Sequence, residues 1–169
     1  MPDQKNVRRR DGLSAANPTA QELYTTLINE QISPFMREQG LTGSQGRYAI
    51  ASETHWALIA FQKSAYSDRT DIRFTINLLV VGRDFWDARR SVDPRLPLRP
   101  TAGVFYGSAF SQSRIGSLLP DGEDRWWRVH DHAAVHEVAG DVCNALARFG
   151  IPWMVAEIAR ERPGVEAER

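Results

Sequence analysis

Two apolar runs joined by a short polar stretch constrain the fold of this chain more than any other feature. Residues 55–64 read His-Trp-Ala-Leu-Ile-Ala-Phe-Gln-Lys-Ser, and residues 72–81 read Ile-Arg-Phe-Thr-Ile-Asn-Leu-Leu-Val-Val. Residues 65–70 between them include Ser, Asp, Arg and Thr. Because aromatic and β-branched residues favour strands and a short polar stretch favours a loop, the pattern predicts two strands, 55–64 and 71–81, paired as an antiparallel hairpin.

Two amide side chains interrupt the apolar character of these strands. Successive side chains of a strand point to opposite faces, so Gln62 shares a face with Ala60. Asn77 lies on the face opposite Ile76. An amide inside a sheet either forms hydrogen bonds with its neighbours or faces a wet groove. The sequence leaves both interpretations open for these two residues.

An amphipathic helix is predicted before the sheet-forming region. Over residues 19–39 apolar side chains recur every three or four positions, and Thr19 and Glu22 have the spacing of a capping box. Pro34 lies inside this helix and removes one backbone hydrogen bond. A kink is therefore expected near residues 31–33.

A second amphipathic helix is predicted over residues 133–149. Gly150 is expected to form its C-terminal cap and Pro152 to stop it, and the next three residues are expected to dock on the core. Weaker patterns predict a first strand at 47–51, a short helix at 82–91, an irregular connection at 93–101, a strand at 104–106, a loop at 108–113, one helical turn at 114–120 and a last strand at 125–129.

These elements together predict an α+β fold. We expect an antiparallel sheet of about four or five strands, with the helices at 19–39 and 133–149 packed on one face and the other face uncovered. Residues 18–155 are expected to form a single domain. Residues 1–17 are expected to form a disordered tail, and residues 156–169 a frayed, charged one.

The net charge, the apolar runs and the cysteine count limit the classes of function that this chain can have. Lys plus Arg and Asp plus Glu each number 21, and this zero net charge argues against a general nucleic-acid binder. No apolar run approaches the ~18 residues of a membrane span, and the N-terminus does not have the pattern of a signal peptide. The single cysteine, Cys143, excludes an internal disulfide and suits a reducing compartment, so a cytoplasmic location is expected.

Several short motifs match one known family in their order and spacing. They are Phe61-Gln62-Lys63-Ser64, Arg73-Phe74-Thr75-Ile76-Asn77-Leu78, Arg114-Ile115-Gly116 before Leu118-Leu119-Pro120, and Asp124-Arg125-Trp126-Trp127. With the opening helix and the helix before Pro152, they make residues 20–154 resemble the uncharacterised bacterial family called domain of unknown function 4304. Members of that family usually carry a basic turn after the first helix, where this chain has Leu-Thr-Gly-Ser-Gln at 41–45. The resemblance implies the fold and implies no known activity.

The sequence offers a weak candidate for a metal site and no catalytic set. His130, His132 and His136 lie close together, and two imidazoles one helical turn apart can share a zinc ion. The other interpretation is that they are solvated near the start of the second helix. Cys143 lies beside the buried stripe of that helix and is expected to be a packed thiol. We find no glycine-rich phosphate loop, so neither a catalytic residue nor a cofactor is predicted.

The remaining polar and aromatic residues form a candidate binding surface. It comprises Gln62, Lys63, Arg73, Asn77, Arg114, Asp124, Trp126 and Trp127. If 125–129 is a strand, Trp126 and Trp127 point to opposite faces, so one joins the core and the other is available to stack on Arg114. Arg114 either pairs with Asp124, which would tie a turn to the sheet, or contributes to a ligand contact.

The leading hypothesis is a non-enzymatic cytoplasmic protein-binding domain, adaptor or immunity-like, that holds a protein partner on the uncovered sheet face or its edge. The alternative is a small-ligand-binding protein or an enzyme with a cleft between the face carrying Gln62 and Asn77 and residues 108–128. An enzyme should bring Arg114, Asn77 and a carboxylate together in a concave pocket. A binding module should show an aromatic patch whose polar groups are already paired. No nucleic-acid or membrane partner is expected.

Overall fold

The predicted hairpin lies at the centre of a six-stranded antiparallel sheet. A computed structural model describes residues 17–160, so most of the two predicted tails, residues 1–16 and 161–169, lies outside the described residues. The strands are β1 (Leu41–Ser44), β2 (Arg47–Ile50), β3 (His55–Lys63), β4 (Asp71–Gly82), β5 (Ser111–Arg114) and β6 (Trp127–His130). The predicted α+β class is confirmed.

One long strand organises the sheet. Strands β1 to β4 pair in sequence order, and β4 is 12 residues long. Its second edge therefore has room for two short strands placed end to end. Strand β5 pairs with residues 77–80 of β4, and β6 pairs with residues 71–74. The segment from β5 to β6 is thus held beside the same strand that carries Asn77.

The first two strands form a hairpin that the sequence predicted only in part. Gln45 and Gly46 have φ angles of 53° and 79°, the left-handed values that a two-residue type I′ turn requires. Gly43 has a φ of 123°, and a Cβ atom there would lie 2.2 Å from the carbonyl oxygen of Arg47. The sequence pattern indicated β2 and missed β1, because Gly43 and Ser44 interrupt the short strand signal of Leu41 and Thr42.

The N-terminal helix has the predicted start and the predicted irregularity. It comprises α1 (Ala20–Thr26), a π-helical segment (Leu27–Ile32) and α2 (Ser33–Glu38). Thr19 and Glu22 form the expected capping box: the Glu22 N–H donates to Thr19 Oγ1 at 3.2 Å, and the Thr19 N–H donates to Glu22 Oε2 at 2.8 Å. The π-helical segment ends just before Pro34, whose ring and missing N–H do not fit a regular α-helix.

The C-terminal helix continues beyond its predicted end. It comprises α4 (Val135–Ala145), a π-helical segment (Leu146–Gly150) and α5 (Ile151–Ala159). The predicted cap at Gly150 and stop at Pro152 are therefore wrong. As in the N-terminal helix, a π-helical segment precedes the proline and accommodates its missing hydrogen bond. Gly150 has a helical φ of −67° and serves close packing, since a Cβ there would lie 3.0 Å from Ile115 Cδ1.

The predicted C-terminal tail is partly wrong, because the same helix continues into its first residues. Residues 156–159, expected to fray, form the last turn of α5. Glu157 is 8% exposed there, and its Oε2 accepts a 2.7 Å hydrogen bond from Ser111 Oγ of β5. Of the residues expected to dock on the core, Met154 is fully buried, Trp153 is half-buried and Val155 is exposed. The helix after Pro152 therefore packs on the sheet through Met154 and bonds to β5 through Glu157. No helix among the described residues is long and apolar enough to cross a membrane.

Apolar clusters lie on both faces of the sheet. The two long helices cover one face, as predicted, and bury side chains such as Phe74 and Leu78. The opposite face, expected to be uncovered, is partly covered. The short helix predicted at 82–91 is present as α3 (Arg83–Val92), and Trp86 of this helix packs with Phe110 on the second face. The remainder of that face stays accessible.

Two predictions are wrong in the connection between α3 and β5, one of a strand and one of a loop. Apolar residues 104–106 predict a strand, but they form an irregular segment. Polar residues 108–113 predict a loop, but Ser111–Arg114 is β5. Pairing with the edge of β4 makes this polar segment a strand, whereas Tyr106 turns inward to contact Trp86, with 4.9 Å between ring centres. The single helical turn predicted after β5 is present as a 3₁₀ turn (Ile115–Leu118).

Candidate functional site: a cleft on the second sheet face

A cleft of about 450 Å³ lies on the accessible part of the second sheet face. The sheet supplies its floor, and residues 102–105 of the irregular segment supply one wall. The cleft is partly open to solvent. The cleft thus lies against the face that carries Gln62 and Asn77, beside the start of the 108–128 segment.

Three amides and one guanidinium form the floor of the cleft. Asn77 of β4 lies opposite Arg114 of β5 in the register of the sheet. Gln112, two residues before Arg114, shares its face. Gln62 of β3 reaches the same place, and its Oε1 accepts a 2.6 Å hydrogen bond from Asn77 Nδ2. Both interpretations of Gln62 and Asn77 are therefore correct. Their side chains form a hydrogen bond with each other, and they also face a groove.

Gln112 holds the wall of the cleft in place. Its Oε1 accepts a 2.8 Å hydrogen bond from the backbone N–H of Tyr106, and its Nε2 donates a 2.7 Å bond to the carbonyl oxygen of Val104. Phe105 lies between these two anchors and is 77% exposed. A polar side chain of the floor thus fixes a large apolar side chain at the rim.

Arg114 is the only charged residue among the described residues that line the cleft. Its Nη1 donates to both carboxylate oxygens of Asp124, at 2.9 and 3.1 Å. Trp126 Nε1 donates a 2.8 Å bond to the same carboxylate, and the Trp126 ring centre lies 5.4 Å from the guanidinium carbon. Nε and Nη2 of Arg114 have no hydrogen-bond partner within residues 17–160. The cluster therefore orients the guanidinium and leaves two of its nitrogens available to a ligand.

Gly116 holds the loop that carries Asp124 against the 3₁₀ turn. A Cβ atom at Gly116 would lie 2.2 Å from the carbonyl oxygen of Glu123 and 2.4 Å from the amide nitrogen of Arg125. Only glycine allows two stretches of backbone to approach this closely. The Arg-Ile-Gly motif and the Asp-Arg-Trp-Trp motif are thus linked physically, since the glycine of the first positions the aspartate of the second.

The polar groups of the described residues that line the cleft are three amides, one guanidinium and one hydroxyl. Its described lining residues include no carboxylate, imidazole or thiol. The one hydroxyl group, that of Ser113, lies 2.8 Å from the hydroxyl of Ser117 and has no general base beside it. The carboxylate of Asp124 pairs with Arg114 from outside the lining. Asn77 and Arg114 thus line the cleft, and the carboxylate nearest to Arg114 lies beside it.

Comparison with known proteins identifies the family. The family model described as Domain of unknown function (DUF4304) matches residues 32–156, which include all six strands. This chain belongs to the DUF4304 family. No curated protein and no solved structure matches it. The resemblance drawn from the short motifs is confirmed, and the matched span continues past Pro152 into α5.

Five of the eight residues proposed from the sequence lie together in this DUF4304 domain. Gln62, Asn77 and Arg114 line the cleft. Asp124 and Trp126 contact Arg114 from the adjoining loop and do not line the cleft themselves. Arg114 does form the ion pair with Asp124, which was one of the two alternatives. It also lines the cleft, so the two alternatives do not exclude each other.

The other three proposed residues lie elsewhere. Arg73 has its Nε 3.6 Å from Asp71, outside the cleft. A hydrogen bond from Arg128 to that carboxylate holds the pKa of Asp71 below its usual value. Lys63 bonds to a side chain of α1, on the face covered by the long helices. Strand β6 begins at Trp127, two residues later than predicted, and Trp127 is buried against Phe74.

The wall of the cleft and part of its floor were not predicted from the sequence. Gln112 falls in a segment predicted to be a loop, and Phe105 in one predicted to be a strand, so neither was placed beside Asn77. The available signal was a pair of aromatic residues inside a connection rich in glycine and proline. Such a segment is more typical of a binding loop than of a strand.

The three histidines that were a weak candidate for a metal site are not grouped as one in the described residues. Helix α4 begins at Val135, so His132 precedes the helix and does not lie one turn from His136 on it. His130 and His132 lie 4.0 and 3.8 Å from the carboxylate of Asp131. Over residues 17–160 no three His, Cys, Asp or Glu side chains are grouped so that they could hold a metal ion.

Proposed function

We propose that this DUF4304 domain is a non-enzymatic protein-binding domain that takes an extended segment of a partner into the cleft. The observation that carries the proposal is the composition of the cleft, with amides on the floor, one oriented guanidinium and exposed Phe105 at the rim. Side-chain amides offer both donors and acceptors, as a peptide backbone does. Exposed aromatic residues are frequent anchors of protein interfaces. An adaptor-like or immunity-like role is the expected biological form.

Arg114 defines the charge expected of the bound segment. Its planar guanidinium suits a carboxylate, and Nε and Nη2 are available within the described structure. Because Asp124 already orients the side chain, a ligand orders few additional rotamers when it binds. We therefore expect an acidic residue in the partner segment, next to an apolar residue that contacts Phe105.

A small-molecule ligand is the second candidate, favoured by the volume of the cleft. About 450 Å³ lies within the range of pockets that hold drug-sized molecules. Such pockets usually bury most of the ligand, whereas this cleft is partly open to solvent and its rim residue Phe105 is 77% exposed. These two features favour a ligand that continues beyond the cleft, as a polypeptide segment does.

We infer a cytoplasmic location from the state of the single cysteine. Cys143 is a free, half-buried thiol. Burial raises its pKa to about 11, so it is protonated at neutral pH. Unpaired thiols are typical of reducing compartments.

Selection from a displayed peptide library tests the proposed function. Peptides selected on the full-length chain should contain an acidic and an apolar residue at a fixed spacing. Isothermal titration calorimetry should show that Phe105→Ala and Arg114→Gln each weaken their binding at least about tenfold, or roughly 1.4 kcal/mol.

Two matched controls separate the cleft from the general surface. Tyr66 is an aromatic residue that is 90% exposed in the β3–β4 loop, and Arg95 pairs with Asp93 at 2.8 Å, both outside the cleft. Tyr66→Ala and Arg95→Gln should bind the selected peptides as the wild type does. Peptides that bind the two cleft variants with undiminished affinity would contradict the proposal. Binding of small organic acids but of no peptide, dependent on Arg114, would favour the second candidate.

A further inference from the structure

A pair of arginines lies on the same sheet face as the cleft, further along β4. In the register of the sheet, Arg73 of β4 lies directly opposite Arg128 of β6. Phe74 and Trp127, next to them in the chain, belong to the apolar cluster under the long helices. The two arginines therefore point to the other face, the one that carries Asn77. Directly opposed residues of antiparallel strands have Cβ atoms about 5 Å apart, so the two side chains leave the sheet side by side.

The two arginines share one carboxylate. Arg128 Nε donates a 2.6 Å hydrogen bond to Asp71 Oδ1, and Arg73 Nε lies 3.6 Å from Asp71 Oδ2. The carboxylate of Asp68 also lies near Asp71, but it accepts hydrogen bonds from the backbone N–H groups of Thr70 and Asp71.

The shared carboxylate leaves donors of both arginines unused. Their side chains are 53% and 58% exposed, whereas that of Asp71 is 22% exposed. Within residues 17–160 the terminal Nη atoms of the two guanidiniums have no hydrogen-bond partner. A guanidinium binds a carboxylate through two nitrogens at once. The arginine pair can therefore accept a second carboxylate from a binding partner.

The arginine pair is aligned with the floor of the cleft. Asn77, opposite Arg114, lies four residues after Arg73 in β4, a distance of about 13 Å at ~3.3 Å per residue. Trp126 lies between the two places, since it comes two residues before Arg128 and its ring centre is 5.4 Å from the guanidinium carbon of Arg114. A strip of polar and aromatic side chains thus runs along β4 from the cleft to the arginine pair.

An extended polypeptide has the same repeat as the strand beneath it. Its side chains alternate in direction, so residues four positions apart point to the same side and lie about 13 Å apart. We propose that the partner segment continues from the cleft along β4 and places a second acidic residue, four positions from the one at Arg114, against Arg73 and Arg128. This inference rests on the proposed function and adds the charge pattern of the partner, which is complementary to the separated positive charges of this face.

Paired peptides test the second contact. The starting peptide is a selected one whose binding to the full-length chain depends on Arg114. The residue four positions from its acidic residue, on either side, is made glutamate or glutamine. Isothermal titration calorimetry should show that glutamate on one of the two sides binds at least about threefold more tightly than glutamine. Glutamate three positions away should give no such gain, because that side chain points away from the sheet.

Two double variants assign this gain to the arginine pair. It should disappear in Arg73→Gln, Arg128→Gln. The matched control is Arg89→Gln, Arg95→Gln, which removes the same charge around another aspartate, Asp93, outside the cleft. The gain should persist in this control. All four arginines are exposed, so both variants should have the circular dichroism spectrum of the wild type.

The outcomes separate this inference from the proposed function. An undiminished gain in the folded Arg73→Gln, Arg128→Gln variant would overturn the inference. So would equal affinities of the glutamate and glutamine peptides on both sides. The proposed function stands in both cases, because the starting peptide still depends on Arg114. If no selected peptide depends on Arg114, the proposed function fails and this inference fails with it.

Discussion

Gly116 determines where the loop after the 3₁₀ turn lies. Its missing side chain admits the backbone of residues 123–125, and Asp124 then reaches Arg114 at 2.9 Å. An exposed ion pair of this kind adds little stability by itself. Together with the hydrogen bond from Trp126 it fixes the direction of the Arg114 guanidinium at the edge of the cleft. One small residue thus controls the only charged group of the described cleft lining.

Replacing Gly116 with alanine should lower the free energy of unfolding by roughly 1–3 kcal/mol, because the new methyl group overlaps backbone atoms. Urea denaturation followed by circular dichroism measures this change. Gly140→Ala in α4 is the control. A Cβ there meets nothing within 4 Å, so the same substitution should raise the free energy of unfolding by about 0.5–1 kcal/mol. An unchanged stability of Gly116→Ala would contradict the close approach.

Both long helices pass through a proline without ending. A π-helical segment precedes Pro34 in the N-terminal helix and Pro152 in the C-terminal helix, and each widens the helix where a regular hydrogen bond is lost. Beyond Pro152, α5 supplies Met154 to the main apolar cluster and Glu157 to β5. The last element of the described structure is therefore packed on the sheet that carries the cleft.

Two adjacent residues of α5 test whether this element is packed. Met154 is 0% exposed, so Met154→Ala should lower the free energy of unfolding by about 2–5 kcal/mol through lost contacts and a cavity. Val155 is 52% exposed, so Val155→Ala should change it by no more than about 0.5 kcal/mol. Denaturant titrations of both variants give the comparison. Similar small effects at both positions would mean that the chain after Pro152 does not dock.

The two apolar clusters share one strand. Leu78 and Leu79 follow each other in β4 and point to opposite faces, one into the cluster under the long helices and the other into the cluster around Trp86. Loss of pairing along β4 would therefore disrupt both clusters at once. This arrangement favours a single cooperative unit, and the single domain expected from the sequence stays a prediction that unfolding experiments test.

Cooperative unfolding can be measured with one tryptophan from each cluster. Trp127 lies in the first cluster and Trp86 in the second. Fluorescence of the Trp86→Phe and Trp127→Phe variants should give, within each variant, the same transition midpoint as its far-ultraviolet circular dichroism. Trp56 and Trp153 stay in both variants, so a fluorescence transition that precedes the loss of secondary structure in either variant would show that part of the molecule unfolds separately.

Local patterns were sufficient for part of the fold and part of the site. The strands containing Ile59 and Ile76 and the capped start at Thr19 were predictable, because periodicity and capping depend on neighbouring residues. Gln62 and Asn77 were identified because a polar side chain in an apolar strand requires a partner. Strand β5 was not predictable, since its Ser-Gln-Ser-Arg sequence has no strand pattern and depends on the free edge of β4.

The sequence by itself determined the α+β class, the central hairpin, the helix starting after Thr19 and the motifs that mark the DUF4304 family. Only the tertiary structure decided that Gln112 joins Asn77 and Arg114, that Phe105 is exposed at the rim, and that Lys63 belongs to a different surface. The physical reason is the range of the interactions. Alternation, helical periodicity and capping act over a few residues, whereas strand order, close backbone approach and the shape of a cleft depend on segments that meet only in the folded chain.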